Sequence, residues 1–251
     1  MPFKLANAPI VEAVLDIDCD LPAGQQLASL EVVSRDAYRG RYPKSRKQLV
    51  QEHAIEASPD GPPRVAAGPH RVQAFQFLQD DEKQLVQVRA QGFSFNRLAP
   101  YSSLDDYLGD IEDAWRTFVQ ITFPVQVTAI RLRYINRILI PMVGGEVDLE
   151  EYLRVAPLIP KGAGLKLVGF LSQQLAVETD TGNQVNIVLS PQAPEGGFLP
   201  VIFDNTAASL ERGEPQDWPW ICEKIENLRV LKNRVFKETL TEPCLNLFRR
   251  P

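Results

Sequence analysis

Arg131, Arg133 and Arg137, two and four residues apart, lie in the run VTAIRLRYINRILI (127–140), whose β-branched and aromatic content reads as a strand. Side chains alternate along a strand, so the three guanidinium groups share one face with Ile135 and Leu139. Ile130, Leu132, Tyr134, Asn136, Ile138 and Ile140 share the other, a core face with one polar guest. Neighbouring cations on such a face stand about 7 Å apart. Fixed positive charge at that spacing suits an anion: a nucleic-acid backbone, a phosphate ligand or an acidic partner. Internal pairing is the competing use. Asp16, Asp18 and Asp20 repeat with the same period on the polar face of the strand PIVEAVLDIDC (9–19) and its continuation. If the two strands are neighbours, the acidic and basic ladders neutralise each other. The match in spacing and the opposition in sign favour that outcome.

A second basic stretch, RGRYPKSRKQ (39–48), carries Arg39, Arg41, Lys44, Arg46 and Lys47 beside Tyr38 and Tyr42. It reads as a polar loop. Cations beside aromatic rings can hold phosphates and stack on bases, whereas a solvated loop is the plainer reading.

Other chemistries find less support. KGAGLKLVG (161–169) lacks the Lys-Ser/Thr ending of a Walker loop and the third glycine of a dinucleotide turn. Ser94, in GFSFN, lies within a strand and not on the strand-to-helix elbow of a serine nucleophile. The two histidines, His53 and His70, flank Pro/Gly-rich sequence, and no cluster of His and Cys has the spacing of a zinc site. Asp80, Asp81 and Glu82 belong to a hairpin turn, while Asp105, Asp106, Asp110, Glu112 and Asp113 occupy the outer side of an amphipathic helix. No catalytic residue, metal or cofactor is expected.

With 251 residues, 44% hydrophobic and 24% charged, the chain can bury a substantial core. Its net charge of −5 opposes bulk attraction to nucleic acid or anionic membranes. No apolar run approaches the ~18 residues needed to span a bilayer. The N-terminal MPFKLANAPIVEAV reaches Glu12 too soon for a signal peptide, and three widely spaced cysteines (Cys19, Cys222, Cys244) read as free thiols in the cytoplasm.

The elements expected to position these residues begin with the 9–19 strand. A helix from Pro22–Gly24 to Tyr38 follows, with Leu27, Leu30 and Ala37 inward, then a weak strand near 49–57. The tract SPDGPPRVAAGP (58–69) is expected to be irregular. Strands at 71–78 and 85–98 precede a helix at 104–123, whose Leu104, Leu108, Ile111, Trp115 and Phe118 form a core stripe. In the 85–98 run, Phe93 and Phe95 share the parity of Gln87 and Arg89, a mixed face. The 127–140 run belongs to a strand reading from Val125, followed by a short helix at 149–155. Strands at 165–178, 184–189 and 198–205, a helix at 219–237 and a closing turn at 241–248 complete the order.

Both halves therefore read β-α-β-β-β-α. The expected fold is α+β: two such pseudo-repeats, 1–124 and 125–251, packed as one unit around a mostly antiparallel sheet with the long helices on one face.

NAPIVEAV (7–14), GFSFNR (92–97) and RYINRI (133–138) together resemble a sporadically distributed family of prokaryotic proteins of similar length and unassigned function. The resemblance implies a single full-length cytoplasmic unit and brings no site residues with it. The expected function is non-catalytic: a cytoplasmic protein that binds a protein partner or small ligand through its polar sheet face or the groove between its halves, without a membrane. The alternative is a nucleic-acid-interacting protein using the basic loop and the arginine strand; an enzyme with a motif-free site stands third. The oligomeric state is not legible in the sequence.

Overall fold

Strand-forming runs broken by Gly, Pro and Asp-rich turns build one antiparallel sheet, with helices inserted where the period lengthens to that of an amphipathic helix. The computed structural model describes residues 5–58, 61–157, 160, 164, 165 and 167–249, and of 52–67 the backbone alone. The first half holds β1 (Ile10–Asp20), α1 (Glu31–Tyr38), β2 (Lys44–Ser58), β3 (Gly61–Leu78), β4 (Gln84–Arg89), β5 (Gly92–Leu98) and α2 (Leu108–Thr122). The second holds β6 (Gln126–Pro141), α3 (Leu149–Tyr152), β7 (Ser172–Val177), β8 (Gln184–Pro191), β9 (Phe198–Ser209), α4 (Trp218–Thr239) and α5 (Glu242–Asn246). The strand order is β2-β3-β4-β5-β1-β6-β9-β8-β7. The α+β class and the antiparallel sheet are thus as expected.

The 85–98 run is two strands, not one. A two-residue turn at Ala90-Gln91 reverses the chain, so Phe93 pairs with Val88 and Phe95 with Val86. Reversal across that turn exchanges the parity: Phe93 and Phe95 join the buried face, and Gln87 and Arg89 lie with Ser94 and Gly92 on the other. The aromatic face is core and not mixed, and the first half carries four strands after α1 instead of three. Gly92 is required at this turn. It adopts φ +138°, and a Cβ there would run into the carbonyl oxygen of Ile17 on β1.

Residues 44–48 belong to β2 and not to a loop, and 61–69 belong to β3 despite their prolines. β4 pairs only with Ala74–Leu78, so the earlier part of β3 has its described strand partner on one side. A proline there interrupts no second ladder. Residues 59 and 60 and the side chain of His53 lie outside the described residues, as do Lys161–Ala163 of the KGAG stretch. Ahead of α1 there is only a 3-10 turn at Leu27–Leu30, and Ala37 is exposed; Leu30, Ser34 and Tyr38 form the inner side. Leu165 and residues 167–171 are not strand, and β7 begins at Ser172.

A 3-10 turn at Leu104–Tyr107, with Ser103 accepting from the Asp105 amide at 3.3 Å, leads into α2. Phe123 in the left-handed region closes the helix, followed by Pro124. Leu104, Ile111, Trp115 and Phe118 are buried, and Leu108 packs at the border of the same cluster. Burying side chains of this size stabilises by about 1.5–3 kcal/mol each. Asp217 caps α4 by accepting from the Trp220 amide at 3.0 Å, with Pro219 in the first turn. Ile221, Ile225 and Leu228 of α4 join Ile111, Trp115 and Phe118 of α2 in one core with Ile17, Phe93 and Ile130. A second core gathers Ile138, Val201 and Phe203 with Phe236, Leu240 and Leu245.

Candidate functional site

β1 and β6 are hydrogen-bonded neighbours at the sheet centre, with Asp16 opposite Arg131 and Val14 opposite Arg133. Their side-chain ladders nevertheless overlap only at one end. The strands are antiparallel, so going up β1 from Asp16 to Asp18 leads down β6 to Ala129, away from the arginines. Arg131 therefore reaches diagonally and ion-pairs with Asp18. Arg89 on β4 approaches the same acids from the other side, 2.9 Å from Asp18 and 3.4 Å from Asp16, and also donates to the Phe93 carbonyl at 2.9 Å. Ser94 donates to Asp16. The Asp18 side chain, only 16% exposed, sits between two guanidinium groups.

The other two arginines find partners in the second half. Arg133 donates through Nε to both Asp204 carboxylate oxygens, at 2.9 and 3.0 Å, and this hydrogen bonding raises its pKa further. Arg137 donates to Gln192 at 3.0 Å and pairs with Glu195. Asp20 has Arg212 at 3.6 Å. All three strand arginines thus have internal carboxylates, one of them from β1. Sequence reading missed Arg89, Asp204 and Glu195, whose places depend on strand order.

On the same sheet face a chain of hydrogen bonds crosses five strands. Arg46 donates to Gln76 at 2.9 Å, Gln76 to Gln87 at 3.1 Å, Gln87 to Asn96 at 2.9 Å and Asn96 to Glu12 at 2.7 Å. This ladder ties β2, β3, β4, β5 and β1 together and satisfies polar groups that a neighbouring side chain would otherwise strip of water. The sheet is continuous between the halves, since β1 pairs along its length with Gln126–Asn136 of β6.

The basic stretch is also largely engaged. Arg41 pairs with Asp110 and Asp113 of α2, Lys44 with Glu82 at 2.8 Å, and Lys47 with Glu31 at 2.7 Å. Arg39 is exposed and makes no ion pair among the described residues. One turn before it, Arg35, with Glu31, Ser45, Lys47 and Phe75, helps line a cleft of about 110 Å³, with Lys47 Nζ 5.8 Å from the Phe75 ring centroid.

Lys232 lies on the inner side of α4. It is buried, with Nζ 3.3 Å from the centroid of the Tyr134 ring, and Tyr134 shares a 2.6 Å hydrogen bond with Tyr101. Burial, and then the charge of Arg229, push the Lys232 pKa down to about 7; burial likewise pushes Tyr134 up to about 12. The adjoining cavity, between Tyr101, Tyr134, Phe95 and Ala13, has about 10 Å³, room for one water and no substrate. Among the described residues no group of three or more His, Cys, Asp or Glu side chains could hold a metal ion, and no helix is long and apolar enough to cross a membrane.

The chain matches no family model, no curated protein and no solved structure.

One region differs from the neutralised centre. β7, SQQLAV, pairs with β8 on one side and has no strand on the other among the described residues. It carries no charge, and Leu175 and Val177 are 78% and 61% exposed. The segment leading into it adds exposed Leu165, Val168 and Leu171, Val168 at 95%. The Glu178 amide donates to the Asn183 carbonyl, so amides alternate along β7 and those of Gln173, Leu175 and Val177 point away from β8. Sequence patterning gave no sign of this, because an edge strand and an interior strand can share one composition.

Proposed function

We propose that this chain is a non-catalytic protein-interaction protein that takes up an extended polypeptide segment along the free edge of β7. The carrying observation is the edge itself: outward backbone amides at Gln173, Leu175 and Val177 flanked by exposed aliphatic side chains, with no charge to repel a strand. Edges of this kind add strands, the backbone supplying affinity and alternate side chains supplying selectivity. The engagement of Arg131, Arg133 and Arg137 by Asp18, Asp204 and Glu195 supports moving the binding surface away from the sheet centre.

The test uses displayed peptides of alternating aliphatic and neutral residues, with binding measured by fluorescence polarisation. Leu175→Pro removes an outward amide and leaves the β8 ladder donors in place, so it should abolish binding while the far-ultraviolet circular dichroism stays unchanged. Peptides that bind the variant as well as the parent would overturn the proposal.

The nucleic-acid reading retains one specific support, exposed Arg39 one turn after Arg35, which lines the cleft. Phosphate contacts there would give binding that weakens steeply with salt, whereas strand addition depends little on it.

We further infer that residues 1–124 and 125–251 descend from one duplicated unit whose long helices cover one sheet face. Each half places its first strand at the centre and its last beside it, counting backward to the edge, β1-β5-β4-β3-β2 and β6-β9-β8-β7, the first half with one strand more. The cytoplasmic setting and the prokaryotic family rest on the free cysteines and on the resemblance of NAPIVEAV, GFSFNR and RYINRI.

A further inference from the structure

The two edges of the sheet differ in how they treat a neighbour. β2 begins Lys-Ser-Arg-Lys, and its pairing with β3 shifts register at three places, both features that discourage edge-to-edge contact. β7 has neither charge nor register shift. An antiparallel strand pairing with itself sets each side chain near one from the same short sequence. A charged strand would then oppose like charges, and an uncharged one does not.

We infer that the occupant of the β7 edge is a second copy of this chain, paired antiparallel through its own β7. This deepens the strand-addition reading proposed above and rests on it. The outward amides belong to Gln173, Leu175 and Val177, so the two-fold axis falls at Leu175, opposite Leu175 of the second copy. Gln173 then faces Val177 of the second copy. These residues share one sheet face, that of Asn186 and Gln184, so Leu175 and Val177 of both copies form one aliphatic patch across the axis. Such pairing is isologous and closes after two chains, whereas a β2-to-β7 contact would propagate as a fibre. Stable interfaces bury about 1,200–2,000 Å² in total, more than a six-residue ladder supplies. Leu165, Val168 and Leu171, exposed in the segment that leads into β7, are the further apolar side chains nearest to it in sequence, and the dimer is accordingly concentration-dependent.

Sedimentation velocity of the full chain over a wide concentration range tests this. The parent should pass from one mass to twice that mass as concentration rises. Leu175→Pro, which removes the amide, and Leu175→Lys, which opposes two charges at the axis, should both remain monomeric; the lysine variant keeps the test valid if the proline one fails to fold. In a Cys222→Ser background, a short bismaleimide should join Leu175→Cys chains and not Leu210→Cys chains, Leu210 being exposed elsewhere. A parent that stays monomeric while still binding displayed peptides at β7 overturns the second copy and leaves the strand-addition reading standing. A dimer that persists in both Leu175 variants places the contact on another surface and overturns this inference also.

Discussion

Asp18 is the residue on which the central charges converge. Its carboxylate lies between Arg89 and Arg131, mostly shielded from solvent, whereas the Arg137–Glu195 pair sits where the acid is 57% exposed. Shielding decides what each pair is worth. Asp18→Asn should deprive Arg131 of its paired carboxylate, leave Arg89 only its 3.4 Å carboxylate contact with Asp16, and cost roughly 1–3 kcal/mol, while Arg137→Ala should cost about 0–1 kcal/mol. Urea denaturation midpoints distinguish the two; equal losses would mean that the centre is solvated like the rim. Lys232 poses the opposite case, a cation held where burial disfavours its charge and the Tyr134 ring partly offsets that. Its folded pKa, about 7, lies below the unfolded value, so between these limits the unfolded chain holds the extra proton. The penalty is therefore fullest at and below neutral pH and fades as pH rises toward the ordinary lysine value. Lys232→Met should stabilise the protein most near neutrality, and its advantage should shrink by about 1.4 kcal/mol per pH unit on the way up. Thermal midpoints of the two proteins between neutral and alkaline pH supply the measurement; a constant gap would show that the lysine does not titrate in this range.

At the scale of elements, a helix gives itself away by its own period, and a strand shows only that it alternates. The α2 stripe was readable because Leu104, Ile111, Trp115 and Phe118 recur at helical spacing, and all four are buried as that spacing requires. Trp115 stacks on Phe118, meets Phe93 edge-on and donates to the Pro215 carbonyl at 3.0 Å. Trp115→Ala should therefore cost roughly 3–5 kcal/mol, seen as a large fall in thermal midpoint. The 85–98 run misled because a two-residue turn need not contain glycine. Ala90-Gln91 carries no strong turn signal, and the requirement for Gly92 comes from the approach of β1, a contact distant in sequence. The basic 39–48 stretch misled for a related reason: Lys44 and Arg46 share one face of a strand and Lys47 takes the other, and their partners, Glu82, Gln76 and Glu31, lie outside that strand.

For the whole molecule, the sheet is braced unevenly. Its centre is paired on both sides, joined by the amide ladder and backed by core clusters, while β7 is paired on one side and mostly exposed. Local opening free energies should follow that gradient. Hydrogen–deuterium exchange of the dilute chain should leave β1, β5 and β6 protected longest and β7 least; slow exchange at β7 under those conditions would mean that the edge is already covered. The sequence by itself determined the secondary structure of the long helices, the strand character of β1 and β6, and the sharing of one face by Arg131, Arg133 and Arg137. These depend on spacing within one segment, which local backbone geometry converts directly into direction. Only the tertiary structure decided which carboxylate each arginine meets, that Lys232 faces the Tyr134 ring, and which strand is left at the edge. Those outcomes depend on strand order and register, which bring together residues as far apart as Asp18 and Arg131, and no local period encodes them.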